Sequence, residues 1–379
     1  MYMPKKNTAT DVKYHNRNLI YQYVLREENL SQKEIAENLQ LSLPTVIQNL
    51  NELKEKNLIL EQGHYQSTGG RKAKRIAPNT MARVAIGLDI TKNHIALVLT
   101  NLVGDIIEKQ RIRCIYSDTP AFYSNVSRLI DEMLFKHSID TSSILGLGVS
   151  IPCIITPDHK TIFYSNLIPG MPEGQLLYEH FSSYFDYPIY IENDASSGSL
   201  GEFWNSTGND NIFYLFISNS VGGAIYYNNQ LYAGDNCHSA EIGHTTLVPN
   251  GNKCYCGRSG CVDAYCSAAV LADFTHGTLN DFMDKLAAGE PAYVEKWNEY
   301  LDYLSVTIMN IRMLFDCDIV IGGYMGSCIV PYLDQLKMRI IAQDIFSPNA
   351  DFVRACKLQT ECSALGVALT FIDSFRKSI

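Results

Sequence analysis

From position 241 the chain reads Glu241-Ile242-Gly243-His244, then Thr245-Thr246-Leu247-Val248-Pro249-Asn250-Gly251-Asn252-Lys253, then Cys254-Tyr255-Cys256-Gly257-Arg258-Ser259-Gly260-Cys261. Three thiols and one imidazole make a closed four-ligand set. That is the chemistry of a structural zinc ion, because a catalytic zinc keeps one position open to water. Gly251, Gly257 and Gly260 allow so short a loop to wrap an ion. Cys266 follows closely, but the first three cysteines have the tighter spacing. His244, Cys254, Cys256 and Cys261 are therefore expected to hold Zn2+.

Upstream of that loop the apolar run Tyr187–Ile191 leads into Glu192-Asn193-Asp194-Ala195. An amide and a carboxylate at the carboxyl end of a strand in an α/β fold point into the ligand crevice. Such groups hold sugar hydroxyls, and an Asp there can act as a general base. Taken alone, the tetrapeptide reads equally well as a helix N-cap. Around it, Val84–Ile90, His94–Leu99 and Ile106–Ile115 read as strands in hairpin order. A helical stretch, Phe122–Lys136, leads to a buried strand, Ile144–Ser150. A second strand series begins near Phe213, and the long amphipathic helix Ala292–Phe315 precedes the apolar strand Ile319–Ile321. This order predicts two α/β lobes with a ligand cleft between them.

The 379 residues carry 46% hydrophobic and 19% charged side chains, which excludes a disordered chain and fits two or three domains. No apolar run is long enough to cross a membrane, and Met1–Lys6 is not followed by the apolar stretch of a secretory signal. Eleven cysteines, an odd number, point to a reducing cytoplasm. Charge is uneven. Residues 1–80 hold 12 Lys+Arg and 8 Asp+Glu, leaving 19 and 32 for the rest, so a head of net +4 precedes a body of net −13. Only the head is suited to a polyanion.

In that head, Leu19, Ile20, Tyr23 and Val24 recur at helical spacing. Ser31 and Glu34 form a capping-box pattern opening a second helix through Leu39. Ser42 can cap a third, with Pro44 tolerated in its first turn and Val46, Ile47, Leu50 and Leu53 as its buried stripe. This is the helix-turn-helix order. Leu58–Leu60 and the stretch around His64–Gln66 are expected to pair as a small wing. Thr45, Gln48 and Asn49 would then face base edges, with amides matched to adenine. Arg71, Lys72, Lys74 and Arg75, after the flexible Ser67–Gly70, would grip phosphates.

Together, Glu192-Asn193-Asp194-Ala195 with Gly201-Glu202, Glu241-Ile242-Gly243-His244 and the Cys254–Cys261 loop resemble the ROK family of sugar-responsive repressors and sugar kinases. The N-terminal helix-turn-helix and Ser67-Thr68-Gly69-Gly70-Arg71 resemble its repressor branch. The resemblance implies a winged helix-turn-helix followed by a two-lobed, actin-like (ribonuclease-H-like) fold. Its C-terminal helix, here Ala364–Phe375, would pack back on the first lobe. The implied division is residues 1–80 for the head and linker, 81–198 with 360–379 for the first lobe, and 199–359 for the second. It also implies that Asn166, Asn193, Asp194 and Glu241 hold sugar hydroxyls, and that His244 both ligates zinc and faces the sugar. Asp263, which stands where the family usually has a glutamate, is implied as a further sugar contact.

Kinases of the family carry Asp-x-Gly-Gly-Thr on the first strand pair, where this chain has Asp89-Ile90-Thr91-Lys92-Asn93. Their second phosphate loop, Gly-Thr-Gly-x-Gly-Gly, is here Ser218-Asn219-Ser220-Val221-Gly222-Gly223. Side chains at these positions obstruct backbone approach to phosphates and remove left-handed freedom. Asp194 is thus expected to be a vestigial base, in a repressor that binds operator DNA as a homodimer or tetramer and senses a sugar without touching a membrane. An ATP-dependent sugar kinase carrying a regulatory head is the alternative.

Overall fold

The computed structural model describes residues 9–27, 29–64, 74–165, 174, 177–204, 211–228, 230–358 and 361–379. Asn166, Arg71 and Lys72, together with the Ser67–Gly70 stretch, lie outside the described residues. No described helix is long and apolar enough to cross a membrane.

The head comprises helices α1 (Ala9–Arg26), α2 (Gln32–Asn38) and α3 (Leu43–Glu55) and strands β1 (Ile59–His64) and β2 (Lys74–Pro78). The expected capping box forms, with Ser31 and Glu34 bonding each other's backbone, and Ser42 caps α3 by accepting from the Thr45 N–H. The wing differs from expectation. β1 pairs antiparallel with β2, from Ile59 opposite Pro78 to His64 opposite Lys74. The return strand is thus drawn from the basic stretch rather than from His64–Gln66. Burial explains the choice: Ile76 enters the head core and also bridges to Leu30. Lys74 and Arg75 consequently sit in the wing.

The first lobe runs β3 (Val84–Ile90), β4 (His94–Asn101), β5 (Ile106–Arg113), α4 (Pro120–Lys136), β6 (Ile144–Ile151), β7 (Ile154–Ile155), β8 (Ile162–Tyr164), α5 (Leu177–Ser182), β9 (Ile189–Asn193) and α6 (Asp194–Phe203). The second runs β10 (Ile212–Ile217), β11 (Val221–Tyr227), β12 (Gln230–Tyr232), α7 (Asp263–Cys266), α8 (Ala268–Phe274), α9 (Leu279–Ala287), α10 (Pro291–Phe315), β13 (Asp318–Gly322), α11 (Tyr324–Cys328), α12 (Leu333–Ile341) and β14 (Val353–Ala355). The chain closes with α13 (Cys362–Lys377).

Each lobe is built on a five-stranded sheet of the same topology, β5-β4-β3-β6-β9 and β12-β11-β10-β13-β14. In both, the first three strands are antiparallel and the last two join in parallel. β3 and β10 are buried along their length because both faces are covered. Val84, Ile86 and Leu88 face α4 and α5, whereas Ala85 faces α13. In β10, Phe213, Leu215 and Ile217 face α10, and Tyr214 and Phe216 face α6.

Helices α6 and α13 form the seam. They cross so closely that a Cβ on Gly366 would lie 1.8 Å from the Ser197 carbonyl oxygen. The Ser363 hydroxyl donates to the Asp194 carbonyl, and Glu202 accepts from the Lys357 and Leu358 backbone N–H groups. A boundary between residues 198 and 199 therefore falls inside α6. Helix α13 also carries the head. From α1, Arg17, Asn18 and Gln22 donate to the carbonyls of Ile379 and Arg376, filling acceptors that the end of α13 leaves open. Arg376 donates back to the Gln22 side chain at 2.7 Å. Ile20, Tyr21 and Val24 share one apolar cluster with Ala368, Leu369 and Ile372.

Candidate functional site

The cleft lies where β9 ends and α6 begins. Asn193 is the N-cap of α6: its Oδ1 accepts from the N–H groups of Ala195 (2.9 Å) and Ser196 (3.2 Å), and its Nδ2 donates to the Cys153 carbonyl. The capping reading of this tetrapeptide therefore holds for Asn193, which also lines the pocket. Asp194 follows as the first helical residue and lines the same pocket. Across the cleft stand Gly222, Gly223, Glu241, His244 and Tyr255 of the second lobe, enclosing 50 Å3. Both lobes thus contribute polar groups to one small pocket.

Two carboxyls of the pocket, and Asp89 close enough to raise one of them, are pushed above the usual carboxylate range. Desolvation, then the like charges of Asp89 and Glu241, raises Asp194 to about 7. Desolvation alone raises Glu241 to about 7. Asp89 is raised to about 6 by burial, partly offset by the Ser150 hydroxyl, which donates to it at 2.7 Å. A ligand bringing hydroxyl donors would add bonds at Asp194, which already accepts from the Ala195 N–H, and at Glu241.

Asp263 is placed differently from the sugar contact implied for it. It is buried, accepts from the Val221 N–H at 2.8 Å, and so ties down the β10–β11 turn. It lines a wider cleft of 720 Å3, which also takes in Thr91–Asn93, Ser218–Ser220 and Lys253. The correction has a simple cause, since the shorter Asp arm reaches the backbone of the adjacent turn rather than the small pocket.

The ligating atoms of His244, Cys254, Cys256 and Cys261 all lie within 4.8 Å of one another. Sulfurs at the corners of a tetrahedron with Zn–S bonds of about 2.3 Å are separated by about 3.8 Å. The sulfurs of Cys256 and Cys261 are 3.8 Å apart, and His244 Nδ1 is 3.9 Å from Cys254 Sγ. These four residues fit zinc. His244 Nε2 lies 3.2 Å from the Tyr255 hydroxyl, on the pocket side. The imidazole therefore spans from the metal set to the pocket. Cys266 is separate, its sulfur paired with the Thr307 hydroxyl. All eleven cysteines are free thiols.

On α3, Gln48 is exposed as expected, while the Thr45 hydroxyl is held 2.8 Å from that of Ser42 within the cap. Asn49 is corrected. It is buried beside Val46, Leu50 and Leu53, and its Nδ2 donates to the Thr45 carbonyl at 2.8 Å. Residues 44, 48, 51 and 55 share the outward face. Asn51 therefore joins Gln48 there, and helical periodicity counted from Gln48 would have found it. Tyr255 was also missed, because its place inside the zinc loop gives no hint that it turns toward the pocket.

A winged helix-turn-helix head seated on a duplicated α/β body with a Cys3His loop defines a DNA-binding regulator built on a ribonuclease-H-like fold. The ROK family matches residues 85–373, and a winged helix-turn-helix DNA-binding family matches residues 15–59. The chain belongs to the ROK family, in its repressor branch. It is 31% identical over 265 residues to the xylose repressor of Bacillus subtilis, covering 69% of this chain and 68% of that one. The crystal structure of a ROK family transcriptional regulator described as a homolog of the E. coli MLC protein superposes with a TM-score of 0.75 at 17% identity, covering 97% of both chains. A ROK family glucokinase from Streptomyces griseus, in complex with glucose and AMPPNP, superposes with a TM-score of 0.62 at 21% identity, over 76% of this chain and 98% of that one.

Proposed function

We propose that this protein is a sugar-responsive transcriptional repressor of the cytoplasm that acts as a homodimer, with a structural zinc ion and no phosphoryl-transfer activity. The observation that carries this reading is the continuity from cleft to head. Asn193 and Asp194 open α6, α6 is locked to α13, and α13 holds α1 of the head. Sugar hydroxyls donate to Asp194 and Glu241 and draw the second lobe toward the first. His244 contributes Nε2 while its Nδ1 serves the metal. When bound, zinc supplies a fixed anchor for the loop that carries His244 and Tyr255. Gln48 and Asn51 read base edges, and Lys74, Arg75, Arg71 and Lys72 contact phosphates. Two heads on one dimer match a two-fold operator.

Only a sugar with unequal affinity for the two arrangements can shift operator binding. A coupling of about 1–3 kcal/mol changes operator affinity about 5–150-fold. Fluorescence anisotropy of a labelled operator duplex, titrated with protein with and without sugar, tests this. Weaker operator binding in sugar is expected, and unchanged binding across a full sugar panel contradicts it.

A second reading, a sugar kinase with a regulatory head, is favoured by the retention of Asp194 and by the 720 Å3 cleft beside it. Against it, Thr91, Lys92, Ser218 and Ser220 put side chains where phosphates need bare backbone. ADP release with a sugar panel separates the readings, and none is expected.

A further inference from the structure

The pocket over Asp194 and Glu241 does not end at those residues. Cys153, Ile154, Asn193, Gly223 and Glu241 also border a second, adjoining cavity of 180 Å3, more than three times the 50 Å3 of the first. A single sugar ring held by Asp194 and Glu241 leaves this adjoining cavity unfilled. We propose that the adjoining cavity is a second glycosyl subsite, so that the full effector is a disaccharide or a glycoside rather than a free monosaccharide. This rests on the sugar-responsive reading above and specifies its ligand.

The walls have the chemistry a sugar ring needs. Tyr190 and Tyr232 offer aromatic faces to its C–H surface, and Glu192, His159, Ser196 and Ser239 offer polar groups to its hydroxyls. Glu192 is buried, accepts from the Tyr190 hydroxyl at 2.7 Å, and lies 3.5 Å from His159 Nδ1. This carboxylate is therefore already oriented, with the Tyr190 ring fixed beside it. Tyr190 and Leu231 have a further property: they also line a 540 Å3 cavity bounded by Gln22 and Arg26 of α1 and by Arg376 of α13. A second ring pressed against Tyr190 thus touches the partition between the cleft and the seat of the head.

Isothermal titration of the full-length, zinc-loaded protein with matched pairs tests the proposal: xylose and xylobiose, glucose and cellobiose, glucose and maltose. One disaccharide is expected to bind at least about tenfold more tightly than its own monosaccharide. Ser196→Leu, which fills the second cavity, is expected to erase that preference while leaving monosaccharide affinity within about twofold. Tyr232→Ala, at an exposed strand position that does not threaten folding, is expected to reduce the preference in the same direction. If every monosaccharide binds as tightly as its disaccharide, or if Ser196→Leu weakens both equally, the subsite is wrong while sugar sensing stands. If no sugar of either kind binds, the sugar-responsive reading fails and the subsite with it.

Discussion

The two lobes repeat one sheet topology but spend it on opposite tasks. In the first, α4 and α5 lie on the far face of the sheet and its seam face is closed by α13. Gly87 and Gly148 let that helix descend until an added Cβ would lie 1.8 Å from the Ala364 carbonyl oxygen and 2.4 Å from that of Val367. In the second, the corresponding seam face is covered by α6, α10 lies on the far face, and the cleft edge is formed by a loop that carries three cysteines and a histidine. One lobe is thus fixed by helix packing and carries the head. The other carries half of the pocket beside a Cys3His set that fits a metal ion. The difference teaches that sensing and DNA reading need not share a structural element, provided the ligand bridges the two lobes.

Zinc removal is expected to break this division most sharply. Structural zinc contributes on the order of 10 kcal/mol in small metal-dependent domains. Chelation or Cys256→Ser should therefore abolish sugar binding and lower the thermal midpoint. Operator binding without sugar should persist, because the head rests on the first lobe. Equal loss of both activities, read by titration and anisotropy on one preparation, would show that the lobes are not independent.

Gly366→Ala probes the seam. Its new Cβ meets the Ser197 carbonyl, and overpacking of this kind costs about 1–3 kcal/mol. Differential scanning fluorimetry should show a midpoint lower by several degrees, with altered sugar response of the operator. A variant with unchanged stability and response would refute the close crossing of α6 and α13.

Asp194→Asn tests the cleft. Loss of a charged acceptor should weaken sugar about tenfold or more, since bonds to charged groups are worth about 1.5–3 kcal/mol. Stability should move the other way. The folded protein holds the Asp194 proton to about pH 7, whereas the unfolded chain releases it near 3.8. Between those values the native state binds more protons, so this group's contribution to stability falls as pH rises and is fully lost above about 7. The variant should accordingly be the more stable protein at pH 8, with the difference vanishing near pH 4. Sugar affinity of the unaltered protein should rise with pH through 7. Thermal melts and titrations across pH 4–8 check both signs.

The smallest effects are expected on α3. Gln48→Ala should reduce discrimination at one base pair by about 1–3 kcal/mol without altering stability. Asn49→Ala should instead alter stability and leave base preference unchanged. Comparing operator and scrambled duplexes for the two variants sharpens the inward and outward assignments.

What the sequence disclosed follows from locality. That His244, Cys254, Cys256 and Cys261 come together was readable because the four fall within a short stretch whose spacing limits how far apart they can lie. The capping boxes and the strand order of the first lobe were readable for the same reason. The wing was not, because its return strand contributes a single core residue, Ile76, from a basic and polar stretch. Asn49 was misplaced because polarity argued for the surface, while its position between Val46 and Leu53 set it on the inner edge of the helix. Asp263 was misread because a sequence cannot show that a shortened carboxylate finds a backbone N–H nearby. The crossing of α6 and α13 joins residues far apart in the chain, and no local pattern announces it.

The central claim is that the cleft and the head are energetically linked through α6 and α13. Linkage is reciprocal: a sugar that weakens operator binding by some factor must itself be bound more weakly, by the same factor, when operator is present. Isothermal titration of the effector sugar into protein alone and into protein saturated with operator measures this directly. A difference of about 5–150-fold, equal to the shift in operator affinity, is predicted. Identical sugar affinity in the two states would contradict the account.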